Sequence, residues 1–291
     1  MCFCLDLLYS VLMITLTSIS MNIVLCSSRG KCLLPLNERP DTTVSVRGGG
    51  KYTSLAKEAV EHLERLQYHP GPKLVYLVAG LPDITQKLKH SFWMNGRYHD
   101  YEEVIFSESD TDESNSNRVI NNIRSSAASI VSAGGIPVFS TVLPCDISAW
   151  NKTRLGQHKT SHLIYYNRYQ PMQEKLLDST KLINSFILHE NSLNQAATPK
   201  LAQPIFYKRG SSWRFKPGKF TDGVHTESKV DDTLLKLFTK VLDRNIKSFI
   251  PESDTYISDS DSDASCKRRF FKSSCTNSNL AVFLGLWIIY L

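Results

Sequence analysis

The sequence has no Cys-x-x-Cys pair and no cluster of cysteine with histidine, so it lacks the ligand spacing of a zinc site. Its seven cysteines are odd in number and scattered. That pattern is not a disulfide framework, and it points to free thiols in a reducing compartment. There is no internal repeat. The apolar C-terminal run Leu280–Leu291 has 12 residues, short of the ~20 that a spanning helix needs. The apolar stretch Leu7–Ile19 has no lysine or arginine ahead of it, only Asp6. That is the wrong flank for a secretory leader, although Ser18-Ile19-Ser20 has the small-x-small form of a cleavage site.

These absences leave two readings of the ends. Met21 as the true start implies a cytoplasmic protein with residues 1–20 as an upstream extension. If both apolar ends are real, the chain is secretory or membrane-associated. The basic stretch Cys266-Lys267-Arg268-Arg269-Phe270-Phe271-Lys272 precedes the apolar C-terminus, so residues 266–291 read as a candidate membrane-surface anchor. Ser and Asp alternate from Glu252 to Asp263, a composition that cannot bury a core. The expected organisation is therefore an apolar segment 1–20, a folded domain 21–250, an acidic then basic tail 251–279, and an apolar segment 280–291.

What is present between residues 21 and 250 is an alternation of strand and helix patterns. Hydrophobic residues make up 42% of the chain and charged residues 21%, which is enough for a packed core. Met21–Cys26 and Thr43–Arg47 read as strands, and Thr53–Leu66 as a helix with one apolar stripe. Leu74–Ala79 is continuously apolar, as expected of a strand buried on both faces of a parallel sheet. Gly96–Asn117 is polar, with seven acidic residues and no basic one between Asp100 and Glu113, and is expected to be a surface loop. Val119–Ala133, Tyr165–Asn191 and Lys229–Ile246 read as helices, and Ile136–Leu143 as a strand. This order predicts an α/β fold, a three-layer α/β/α sandwich of flavodoxin-like type with a mostly parallel sheet. In such sheets function collects in the loops at the carboxyl ends of the strands.

Those loops hold the candidate chemistry. Asp222-Gly223-Val224-His225 places an acid and an imidazole three residues apart, so that one orients the other as a base for a hydroxyl. The plainer reading is that Asp222 caps the helix that follows. Ser27 and Ser28 follow the first strand, Gly48-Gly49-Gly50 follows the second, and Gly80-Leu81-Pro82-Asp83 follows the third. A glycine run at such a position suits a close backbone approach to a ligand, and Asp83 also suits a cap on a short helix. His158 and His162, four apart, have no further ligand nearby and read as surface residues. The stretch 208–219 interleaves basic and aromatic residues, a pattern shared by hairpin rims and single-stranded RNA grooves. Asn151-Lys152-Thr153 is a glycosylation acceptor with meaning only in a secreted protein.

In this order the four loops resemble the SGNH (GDSL-type) hydrolase superfamily, over roughly Met21 to Ile250. That pattern places a nucleophilic Ser after strand one, a Gly after strand two, Gly-x-Asn-Asp after strand three, and Asp-x-x-His before the last helix. The resemblance implies hydrolysis of an acyl or acetyl ester without a metal or cofactor. Ser28 would be the nucleophile, with Ser27 one residue early, His225 the base and Asp222 its orienter. Gly49 or Gly50 and Gly80 would serve the oxyanion, and Pro82 and Asp83 stand in the third block. Two departures are evident: Cys26-Ser27-Ser28 replaces Gly-Asp-Ser, and Pro82 replaces the Asn. Proline has no N–H to donate. The expectation is thus a weakened serine esterase for a small ester or acyl ligand. The alternative is a catalytically silent binding module for an acyl group, a peptide or RNA.

Overall fold

A computed structural model of the chain describes residues 20–94, 96–107, 114–154, 162–209 and 212–249. All lie in one compact unit, Met1–Pro251. Its centre is a parallel sheet in the order β2-β1-β3-β6, built from β1 (Met21–Ser27), β2 (Thr42–Arg47), β3 (Lys73–Val78) and β6 (Ile136–Phe139). Each parallel pair is joined by a crossover, as the strand–helix alternation requires. The helices are α1 (Tyr52–Arg65), α2 (Leu81–Ile84), α3 (Asn115–Ser132), α4 (Ile147–Arg154), α5 (His162–Leu193) and α6 (Ser228–Phe249).

The two-residue period of the strands divides the core. In β1, Ile23 and Leu25 pack with Leu55, Ile123 and Ile183 of α1, α3 and α5. Val24 and Cys26 face the other way and pack with Leu33, Leu234 and Phe238, so α6 and the 3₁₀ segment Ser28–Glu38 cover that side. Because both faces are covered, the central strands β1 and β3 read as nearly continuous apolar runs, whereas the edge strand β2 alternates. The three-layer α/β/α architecture expected from the sequence is the one observed.

Two expectations are corrected. Residues 97–106 are not loop: β4 (Thr85–Met94) and β5 (Arg97–Phe106) form an antiparallel hairpin. Three of the seven acidic residues that suggested solvated loop, Asp100, Glu102 and Glu103, lie in the hairpin and are paired. Glu102 accepts from Lys87 Nζ at 2.9 Å, and Ser91 Oγ donates to Asp100. Glu103, 1% exposed, receives Tyr169 Oη at 2.7 Å, Arg168 at 2.9 Å and His90 Nε2 at 2.8 Å. Second, the strand expected over Ile136–Leu143 ends at Phe139, after which Ser140–Asp146 runs as irregular chain. The stretch 208–219 overlaps a small hairpin, β7 (Phe206–Arg209) with β8 (Ser212–Phe215). The Phe215 ring lies against Phe206 and Phe220 and is partly buried on the α6 side of the core. The segments 1–19 and 250–291, and His158, lie outside the described residues.

A sheet edge needs partners for its outer N–H and C=O groups. Along β6 and the chain that follows it, these come from side chains of α5 and of the residue after it. Asn191 accepts from Phe139 N at 2.9 Å and donates to Phe139 O at 2.7 Å. Asn184 does the same for Val142, at 2.6 and 3.2 Å, and Asn194 donates to Pro137 O at 3.3 Å. Positions 184 and 191 share one stripe of α5, and Asn194 follows its last residue, so the helix and its end satisfy the edge as a fifth strand would. Asn151 of α4 grips Val104 of β5 in the same way, at 2.8 and 2.7 Å. With Glu103, it anchors the hairpin to α4 and α5.

Replacing Asn191 by Leu keeps the volume but leaves two buried backbone groups unpaired, at about 1–3 kcal/mol each. Asn191→Leu is therefore expected to lower unfolding free energy by roughly 2–6 kcal/mol in a urea titration, whereas a loss below about 0.5 kcal/mol would contradict the edge-strand role.

Candidate active site

The carboxyl ends of β1, β2 and β3 open into a cleft of about 750 Å³. Its walls include Ser28, Gly49, Pro82, Asp83, Trp150 and His225. Residues up to 200 positions apart in sequence thus meet in one concave site, the usual place for ligands on a parallel sheet. The hairpin closes one side through Thr85, Gln86, Lys87 and Val104.

The Asp222–His225 segment is a self-contained turn ahead of α6. Asp222 Oδ1 accepts from Val224 N at 3.0 Å and His225 N at 2.7 Å, and Oδ2 meets His225 Nδ1 at 2.8 Å. Thr221 N closes the turn onto His225 O at 2.8 Å, and Phe220 bridges Thr226. The helix starts later, at Ser228, so Asp222 does not cap it and the plainer reading fails. Gly223 makes the docking possible. Its φ is +86°, a Cβ would overlap the backbone of Trp150, and its carbonyl accepts from Asp146 N at 2.7 Å. The turn is thereby fixed to the start of α4.

A carboxylate only accepts hydrogen bonds, so the Asp222 contact places a proton on Nδ1, and Nε2 is the position that accepts whenever the ring is neutral. Burial works against the Asp222 charge, but the turn amides and the ring outweigh it and hold its pKa below the ordinary carboxylate value. The His225 side chain is 42% exposed, open enough for a ligand to reach. Its ring lies 6.4 Å from that of Trp150. Ser28 is half-buried at the first residue after β1, whereas Ser27 is 4% exposed at the strand end. No hydrogen bond joins Ser28 to His225 in this structure. Catalytic contacts are commonly long without substrate.

The thiol ahead of these serines is not a rival nucleophile. Burial raises the pKa of Cys26 far above its ordinary value, and pushes those of Cys32 and Cys145 up to about 12. All three are free.

The expected oxyanion glycines divide. Gly49 lines the cleft. Gly50 is buried beneath it and its N–H is engaged by Arg47 O at 3.1 Å. Gly80 also lies behind the cleft wall, with φ of +109° and no space for a Cβ beside Val142. Pro82 sits in the wall itself, without a donor.

Asp83 is 1% exposed. It caps not the short helix that it belongs to but α1, accepting from Tyr52 N at 3.3 Å. Burial raises its pKa from the ordinary 3.8 to about 6, against the pull of the Tyr52 amide, Lys51, Asn122 and Arg118. Sequence reading missed four cationic side chains in the cleft, Arg29, Lys51, Lys87 and Arg118. Among the described residues no cluster of acidic, His and Cys side chains could hold a metal ion, and no helix is long and apolar enough to cross a membrane.

No protein-family model matches the chain, and no curated protein matches it. Solved structures do. A presumed acylhydrolase from Bacteroides fragilis NCTC 9343 superposes with a TM-score of 0.50 at 15% identity, over 78% of this chain and 88% of that one. A GDSL-like lipase from Bacteroides thetaiotaomicron VPI-5482 matches with a TM-score of 0.46 at 15% identity, over 78% and 88%. The chain has a divergent SGNH-hydrolase-like fold.

The Asp83 carboxyl has a testable consequence. An acid whose pKa rises on folding adds stability below its unfolded value and withdraws it as pH climbs through the folded one. For Asp83 that window runs from 3.8 to about 6, a cost of roughly 3 kcal/mol at neutral pH. Asparagine retains an acceptor for Tyr52 N without the charge. In urea titrations Asp83→Asn is expected to exceed wild-type stability at pH 7.5 by up to roughly 3 kcal/mol and to match it at pH 4. A pH-independent difference would contradict the assignment.

Proposed function

We propose that the domain is a serine ester hydrolase with a weakened oxyanion site. In this reading Ser28 is the nucleophile, His225 the base and Asp222 the group that orients it. The observation that carries it is the Asp222–His225 turn, which uses both carboxylate oxygens to aim the imidazole and serves no helix. His225 Nε2 takes the Ser28 proton as Oγ attacks the ester carbonyl. The imidazolium returns that proton to the leaving alcohol, and water repeats the sequence on the acyl-enzyme. The fold resemblance supports esters as the substrate class.

The oxyanion would rest on the amides of Ser28 and Gly49. Pro82 supplies no third donor, and one missing donor costs about 3–4 kcal/mol, or about 10²- to 10³-fold in rate. That loss, with the open Ser28–His225 contact, favours a second reading in which the cleft binds an acyl ligand and turns nothing over.

A fluorophosphonate probe separates the two, because it labels only an activated serine. Labelling is expected to map to the peptide containing Ser28 and to vanish in Ser28→Ala. In His225→Ala it should slow by at least about 10²-fold, in parallel with release of 4-nitrophenol from 4-nitrophenyl acetate. A folded protein that takes no label selects the binding module, and label on Ser27 moves the nucleophile by one residue.

A further inference from the structure

The cleft is built for charge as well as for an acyl group. Arg29 directly follows Ser28. Its guanidinium donates to the carbonyls of Leu143 and Pro144, and its Nε is buried with no partner among the described residues. Burial lowers its pKa only to about 10, so it stays charged at neutral pH. Two carbonyls and the Phe220 ring, 5.4 Å from the guanidinium, hold it in place without neutralising it, Asp222 and Asp231 act on it only at longer range, and a buried charge without a contact counter-ion is costly. Arg118 is held similarly, by Asp83 O at 2.9 Å and by the Asn115 side chain. Lys51 is exposed at the N-terminal end of α1. Among the described residues none of Arg29, Lys51 and Arg118 has an acidic partner within 4.0 Å, whereas Lys87 is paired with Glu102. The one carboxyl in the cleft wall is Asp83.

We infer that the ligand of this cleft, the ester of the reading above, carries a fixed negative charge, a carboxylate, sulfonate or phosphate, that Arg29, Lys51 and Arg118 meet. The inference rests on that reading for the ester and on the unpaired cations for the charge. A ligand anion supplies the counter-ion that the chain withholds, and charge-assisted contacts to a fixed guanidinium are among the stronger ones available in such a site. Neutral esters of the same size leave the three cations with only the longer-range attraction of Asp83, Asp222 and Asp231. Selectivity then comes from the cleft wall rather than from the reacting groups.

Matched probes test this with two readouts. Mono-4-nitrophenyl adipate and 4-nitrophenyl hexanoate place the charge, or its absence, on the acid side. 4-Acetoxybenzenesulfonate and phenyl acetate do so on the alcohol side. Binding to the Ser28→Ala protein is measured by calorimetry, and hydrolysis by wild type is measured relative to the hydroxide rate of each ester. One charged probe is expected to bind about tenfold more tightly than its neutral partner, the scale of a single charge-assisted contact, and the pair that discriminates identifies the side. Lys51→Met, whose backbone N–H still donates to the Ser54 hydroxyl, should cut that preference at least threefold, Lys51→Arg should restore it, and salt should erode it. Equal affinity within both pairs overturns the inference, as does a preference untouched by both Lys51→Met and Arg118→Gln. Preferential binding without hydrolysis of any probe overturns the ester-hydrolase reading and leaves the anionic ligand standing.

Discussion

The site depends on how Asp222 distributes its two oxygens. One closes the turn through the amides of Val224 and His225, and the other meets the imidazole at 2.8 Å. Backbone shape and ring orientation are therefore set by a single side chain. The turn has its own anchor, because Gly223 lies against the backbone at the start of α4 and takes Asp146 N. Without that contact the imidazole would be aimed only relative to its own loop. With it, His225 is held against the same helix whose Trp150 lines the cleft.

The remainder of the molecule brings this turn to the end of the first strand. The parallel sheet delivers three loops to one side, as its topology dictates. The hairpin is an addition to that frame, held by a buried carboxylate, Glu103, and by the amide of Asn151. Asparagine does repeated structural service: Asn184 and Asn191 complete the sheet edge, and Asn245 binds Ala197 and the Tyr76 hydroxyl. In each case a side-chain amide supplies the donor and acceptor geometry of a missing peptide.

This explains what could be read from the sequence. β1 and β3 were legible because burial on both faces demands continuous apolar runs, and α1 and α6 because each shows one apolar stripe. Asp222 and His225 stood out because their chemistry is local in sequence. The hairpin was hidden because its acidic residues find partners across strands and on α5, which no local window displays. The asparagine clamps are single polar residues within helical patterns, identical in sequence to solvated ones. Asp83 signalled a cap, but its helix is 31 residues upstream. Arg29 adjoins Ser28 and was still passed over, since only the fold shows that its charge has no acidic partner within 4.0 Å among the described residues.

A crystal structure of the protein after reaction with an organophosphonate measures the central geometry directly. The expected density joins phosphorus to Ser28 Oγ, with a phosphonyl oxygen accepting from the Ser28 and Gly49 amides and His225 Nε2 within hydrogen-bonding distance of a phosphonate oxygen. Phosphorus bonded elsewhere, or an imidazole turned away from Ser28 with Asp222 still in place, would contradict it.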